Sequence, residues 1–306
     1  MQQTLPDDTT AKPRVDVDGI YPFSILRSDR GVWQNRKRAW QELGFDSQAG
    51  REGVKTWDTS SPFGKQQLMK ISNGLSTFDP VLAEVSYEWY VPPNGRILDP
   101  FAGGSVRGLV AGHGGYDYLG VDLSQRQVEA NEVQVTDWRD RNLIEDGTVE
   151  YITGDAAEVV PTLPDESFDY TFTCPPYHDL EVYSDLPEDL SAMEWDDFVD
   201  TYTHVISETA RTLKTDRFAT WVVGDLRDRK GNIRGLVPLT IAAHEAAGMR
   251  LYNDQILQNV LGTVPLRVGN QWRASRKMGR HHQYVLTFVK GDAKKATRNI
   301  IDLEAE

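Results

Sequence analysis

The sequence predicts an α/β protein built on a mostly parallel sheet of seven strands, preceded by a small N-terminal extension. Three observations carry this. From residue 77 onward, short apolar strands alternate with longer helical stretches, the pattern of a parallel sheet with crossover helices. Three successive strand ends carry an aspartate, Asp99, Asp122 and Asp155. Packing does not explain these, whereas ligands of open α/β sheets bind outside the carboxyl ends of the strands. The first of those ends runs through the pair Gly103-Gly104 into a helical stretch, a turn that lets backbone approach a ligand and aims free N–H groups at it.

Taken in order, residues 1–18 are polar and predicted to be disordered, and residues 293–306 read as a flexible tail. Residues 19–75 form the aromatic and basic extension, with Trp33, Trp40 and Trp57, one helix near 32–43 and no run of strand signals. The main domain spans 76–292. Asp79 followed by Pro80 starts a helix, the carboxylate as N-cap and the proline at the first helical position. Strands are expected at 96–99, 118–122, 149–153, 168–173, 218–223, 251–259 and 284–289, and helices at 124–139, 195–213 and 236–247, the last stopped by Gly248. Only a loop, 261–283, separates the last two strands, so they pair antiparallel as a long hairpin.

With 306 residues, 39% of them hydrophobic and 26% charged, the chain can bury one large core. No stretch is long and apolar enough to cross a bilayer, and a single cysteine excludes disulfide frameworks and cysteine-based zinc sites. The expected compartment is the cytoplasm, and no metal is expected. His281 and His282 are adjacent on a strand and point to opposite faces, so they do not share an ion. Asp225 and Asp228 fall at the tip of the fifth strand, with a turn role at least as good as a site role. The net charge of -13 repels a polyanion unless cations gather on one face. They do gather: residues 255–291 contain no acid but carry Arg267, Arg273, Arg276, Lys277, Arg280 and Lys290. A second cluster holds Arg27, Arg30, Arg36, Lys37 and Arg38, while residues 179–200 carry nine acids and no cation.

At the fourth strand end stands Cys174-Pro175-Pro176-Tyr177. Two prolines fix φ and remove N–H donors, so the turn is stiff and presents carbonyls and an aromatic face, suited to gripping a planar base. Asp122, about twenty residues beyond the glycine turn, stands where an acid accepts hydrogen bonds from ribose hydroxyls.

The series DPFAGGS, GVDLS, GDAAE and CPPY, spread over residues 77–291, resembles the motif series of S-adenosylmethionine-dependent DNA amino-methyltransferases, and more loosely that of methylases encoded by phages and other viruses. The resemblance implies a Rossmann-like, doubly wound class I methyltransferase sheet. It implies that Asp99, Pro100, Phe101, Gly103 and Gly104 surround the methionine part of S-adenosylmethionine, that Asp122 holds its ribose and Asp155 its adenine amine, and that Phe78, Asp79 and Pro80 line the same pocket. Cys174, Pro175, Pro176 and Tyr177 would form the catalytic turn. DNA would be the partner, its phosphates held by Arg267, Arg273, Arg276, Lys277 and Arg280, with Trp272 or Trp33 filling the space left by a flipped base.

Cys174 departs from the family, where this position is Asp, Asn or Ser and accepts a hydrogen bond from the target amine. A thiol is a weak acceptor, so one reading makes Cys174 a stand-in for serine, with the Pro175 carbonyl doing most of the orienting and cytosine N4 favoured over adenine N6. Another makes it a nucleophile for methylation of the fifth carbon of a pyrimidine, although enzymes of that type place proline before the cysteine. A third keeps the fold as an inactive DNA-binding module, for which Asp122 and Asp155 together have no use.

Overall fold

The computed structural model describes residues 16–46, 49–50, 55–56, 77–144, 146–177, 181–182, 188–228, 230–262 and 264–301. Its strands are β1 (Ile25–Arg27), β2 (Lys55–Thr56), β3 (Arg96–Asp99), β4 (Asp117–Asp122), β5 (Val149–Thr153), β6 (Phe168–Thr173), β7 (Glu181–Val182), β8 (Leu213–Val223), β9 (Met249–Gln258) and β10 (His282–Lys290). Its helices are α1 (Gly31–Glu42), α2 (Pro80–Tyr90), α3 (Val106–His113), α4 (Gln125–Asp140), α5 (Ala156–Val159), α6 (Trp195–Thr212), α7 (Leu236–Ala246), α8 (Val264–Ser275) and α9 (Ala293–Ile301).

The helix starts nearest the carboxyl edge are chemically marked. Asp79 caps α2 by accepting from Val81 N at 3.1 Å, Ser124 caps α4 through Gln127 N, and Asp155 caps α5 through Ala157 N at 2.9 Å. The strands alternate between two cores, as a period of two dictates. Ile97, Tyr118, Val222 and Val285 face the core under α1 to α4, and their neighbours Leu98, Leu119, Trp221 and Leu286 face the cores under α5 to α7. Helices on both faces make this an α/β, Rossmann-like fold.

The main sheet has the order β1-β9-β10-β8-β6-β3-β4-β5. β3 pairs parallel with β4 and β6, β4 with β5, and β6 with β8, while β10 runs antiparallel between β8 and β9. The chain moves outward from β3 to β5, then returns to lay β6 on the other side of β3. The carboxyl edge between β3 and β6 is therefore a topological switch point, where ligands of such sheets sit.

Three expectations need correction. The sheet has eight strands rather than seven, because β1, from the segment expected to lack strands, pairs parallel with β9, Leu26 opposite Leu257. The expected loop 261–283 contains helix α8, which follows β9 at the same carboxyl edge. The expected flexible tail is helical over Ala293–Ile301, with Ala296 fully buried. Trp57, most of the first eighteen residues and the end of the tail lie outside the described residues. No helix among the described residues is long and apolar enough to cross a membrane.

Candidate functional site

A cleft of about 480 Å³ opens at the switch point. Phe78, Asp79, Pro100, Phe101, Gly103, Gly104, Asp122 and Asp155 line it, and so do Cys174, Pro175, Pro176 and Tyr177. Two predicted residues do not. Pro80 is buried in the first turn of α2, and Asp99 is fully buried beneath the cleft.

The glycine turn is held from two sides. Gly103 adopts φ +55°, the left-handed region that glycine enters without strain. Its N–H donates to Asp122 Oδ2 at 2.8 Å, and its carbonyl accepts from Asn131 Nδ2 at 2.7 Å. Asp122 Oδ1 accepts from Ser124 N at 2.9 Å. The carboxylate that was expected to meet ribose hydroxyls thus also locks the turn, with one backbone N–H on each oxygen out of roughly four acceptor sites in all.

Asp99 differs from the expectation because its partners come from elsewhere in the chain. Arg107 Nε donates to its Oδ2 at 2.5 Å and Tyr118 OH to the same oxygen at 2.7 Å, while Thr173 Oγ1 donates to Oδ1 at 2.6 Å. With the Phe101 N–H, 3.2 Å from Oδ1, four donors fix a buried carboxylate that has left water. Burial, then the charge on Asp99, holds the Tyr118 phenol well above its ordinary range, so it remains the donor. Arg107 was missed in the sequence, yet it organises this floor. Its Nη2 donates to the carbonyls of Phe101 and Ala102, and its guanidinium stacks on Phe78 at 4.6 Å. Burial opposes its charge, and Asp99 overcomes this to hold it above the ordinary range. Because Thr173 directly precedes Cys174, one network joins the glycine turn to the Cys-Pro-Pro-Tyr turn.

At the far end, burial raises the Asp155 carboxyl above its ordinary range, against the lowering pull of the Ala157 N–H. At the near end, Asp79 also accepts from Lys37 Nζ at 3.0 Å and Trp33 Nε1 at 3.2 Å, so α1 packs against the cleft. Ser28, Gln34 and Lys37 line it too, none of them foreseen. The spacing of Trp33, Lys37 and Trp40 on one helical face was the available signal.

In the Cys-Pro-Pro-Tyr turn, Pro175 is buried and the other three residues are half-buried. Cys174 Sγ lies 3.9 Å from Tyr177 OH, and Gln283 Nε2 donates to that hydroxyl at 2.8 Å. The phenol is therefore fixed from β10, a partner no local motif announces.

Of the predicted phosphate-contacting residues, Arg273, Arg276 and Arg280 are exposed and Lys277 is half-buried, all on or just after α8; of Arg267 only its place in that helix is described. Trp272 is 46% exposed, with the Arg276 guanidinium 5.6 Å from its ring. Trp33 is 2% exposed and tied to Asp79, which removes it as a filler of vacated base space. Arg36 pairs with Glu84 and Lys37 with Asp79, both on the side of α1 that faces α2. Asp228 serves a turn, accepting from Asn232 N, and Asp225 accepts from Val237 N in the first turn of α7. The rings of His281 and His282 lie 6.5 Å apart at 80°, and no group of three metal-ligating side chains occurs among the described residues.

No family model and no curated protein matches the chain. Solved structures do resemble it. A candidate DNA modification methylase from Thermus thermophilus, crystallised with S-adenosyl-L-methionine, is 23% identical over 45% of this chain and 54% of its own, with a TM-score of 0.34. TrmN from Thermus thermophilus is 15% identical over 70% of this chain and 49% of its own, TM-score 0.45. The cyclase SpnF is 17% identical over 72% and 86%, TM-score 0.47. The chain spans about half the length of the first two.

Proposed function

We propose that the chain is an S-adenosylmethionine-dependent methyltransferase acting on the exocyclic amine of a base flipped out of DNA, cytosine N4 ahead of adenine N6. One observation carries this reading: a single cleft is lined both by the Gly103–Asp122–Asp155 edge and by the Cys-Pro-Pro-Tyr turn. Its volume lies in the range of small-molecule sites, and its acceptors match the hydroxyls and amine of an adenosine. The cofactor supplies an electrophilic methyl group on its sulfonium. The chain's own residues do the rest. Asp122 and Asp155 accept from ribose and adenine, and Phe78, held flat by Arg107, offers an apolar face. Tyr177, braced by Gln283, gives the flipped base a surface to stack on. Cys174 and the carbonyl of Pro175 accept from the target amine and draw its lone pair out of conjugation with the ring. The acid-free α8 segment stands on the same edge as the cleft, where its cations meet phosphates.

Mass spectrometry of nucleosides from DNA of cells expressing the protein tests the reading. The expected product carries its methyl on nitrogen. A product of 5-methylcytosine would transfer the chemistry to Cys174 as nucleophile, and bound cofactor without any modified nucleoside in DNA would remove DNA as substrate.

A further inference from the structure

The amino-acid end of S-adenosylmethionine is a zwitterion whose burial needs donors for its carboxylate and acceptors for its ammonium, and a cation and an anion side by side supply both. No predicted cofactor residue is a cation. Among the described residues, three cations line the cleft: Lys37, Arg107 and Arg126. Arg107 is spent on Asp99 and on the carbonyls of Phe101 and Ala102. Arg126 is exposed in the first turn of α4, on the β4 side. Along the carboxyl edge the order is β3, β4, β5, with Asp122 ending β4 and Asp155 following β5. An adenosine that meets these two acids directs its tail toward β3 and the start of α2, where Phe78, Asp79 and Lys37 stand.

Lys37 is built into that wall. Trp40 Nε1 donates to the buried Glu84 at 2.7 Å, Arg36 pairs with the same carboxylate, and Trp33 Nε1 donates to Asp79, so α1 is pinned to α2 along one face. Lys37 Nζ donates to Asp79 Oδ2 at 3.0 Å. An ammonium carries three donors and a carboxylate about four acceptor sites, so the pair presents an N–H and a lone pair to the cleft while neutralising itself.

We propose that Lys37 and Asp79 form the receptor for the zwitterionic amino-acid end of the cofactor, Lys37 taking its carboxylate and Asp79 its ammonium. The N-terminal segment is then a working wall of the cofactor site. This rests on the cofactor reading given above, and the two are separable by experiment. S-adenosylhomocysteine and 5′-methylthioadenosine share the adenosine and the thioether, and only the first carries the amino acid. Calorimetric titration of the full chain and its Lys37→Met and Lys37→Arg variants with both ligands is the test. Lys37→Met is expected to lose about tenfold in affinity for S-adenosylhomocysteine and nothing for 5′-methylthioadenosine, with Lys37→Arg regaining part of the loss. Equal losses for both ligands, or none for S-adenosylhomocysteine, would overturn the proposal alone. A wild-type chain that binds neither ligand would overturn the cofactor reading and this proposal with it.

Discussion

On the β3–β5 side of the switch point, the charged groups at the carboxyl edge are carboxylates wired to the chain: Asp99 to Arg107, Asp122 to the glycine turn, Asp155 to the start of α5. On the β8–β10 side the arrangement is reversed. Cations gather there on the exposed α8, the carboxylates Asp225 and Asp228 each accept from a backbone N–H, and the deeply buried titratable groups are neutral rings, Tyr202 and His244, the latter stacked parallel on Phe288 at 3.7 Å. One half buries charge and satisfies it, so fold and site share the same bonds. The other keeps charge outside and buries neutral rings, so its surface can change without disturbing its core.

The sharpest way to break this contrast is to remove Arg107. Arg107→Leu leaves the Asp99 carboxylate buried without its counter-ion and is expected to cost about 3–5 kcal/mol of folding stability. Urea denaturation measures it, and a cost below about 1 kcal/mol would mean that the floor of the cleft is not held by charge.

His244 gives the matching prediction for the other half. Burial lowers its pKa to about 3 from an ordinary 6.5, against a hydrogen bond to the Thr240 carbonyl. Below pH 6.5 the unfolded chain takes up a proton that the folded chain refuses. This part of the stability is therefore complete above 6.5 and is lost as pH falls toward about 3. The slope approaches about 1.4 kcal/mol per pH unit. His244→Gln is expected to flatten the curve between pH 6 and pH 4, roughly that interval being open to urea titrations. An unchanged slope would assign the acid sensitivity to other groups.

Changing Arg273, Arg276 and Lys277 to Ala together is expected to shift stability by under about 0.5 kcal/mol per site, since all three are outside the core. Under the proposed function it should also weaken DNA binding and reduce the slope of log affinity against log salt by roughly 0.9 per lost phosphate contact. A variant with normal DNA affinity and salt slope would take α8 out of the interface.

These halves were also unequally legible in the sequence. Strand ends, the glycine turn and the helix caps are local chemistry, so β3 to β6, Asp122, Asp155 and the Cys-Pro-Pro-Tyr turn could be placed from a few residues each. What failed depends on distant partners. Asp99 turns inward because of Tyr118 and Thr173, nineteen and seventy-four residues away. β1 is three residues long and exists because β9, some 230 positions on, offers it an edge. α8 stands where the joint of a hairpin was expected to be a loop, although Pro265 near its start was a helix signal. Arg107 was absent from the expected site because a helical arginine does not show in the sequence that it turns back onto Asp99, and Lys37 because the shared face of Trp33, Lys37 and Trp40 does not name the Asp79 it meets forty-two residues on.

The smallest expected effect sharpens the comparison most, because Cys174 lies where the two halves meet. Its strand, β6, pairs with β3 on one side and β8 on the other, and its turn leans on Gln283 from β10. If Cys174 serves as a serine-like acceptor, Cys174→Ser keeps the shape and hydrogen-bonding role of the side chain, and N-methylation should stay within about tenfold of wild type. A nucleophile behaves otherwise, since a hydroxyl is a far poorer attacker than a thiolate at neutral pH and the reaction passes through a covalent protein–DNA adduct. Incubating the enzyme and cofactor with DNA containing 5-fluorocytosine traps such an adduct. The acceptor role predicts no denaturation-resistant complex with either protein. A complex formed by wild type and lost in Cys174→Ser would make the thiol the catalyst, and the turn would then answer to the chemistry of the pyrimidine ring rather than to that of its amine.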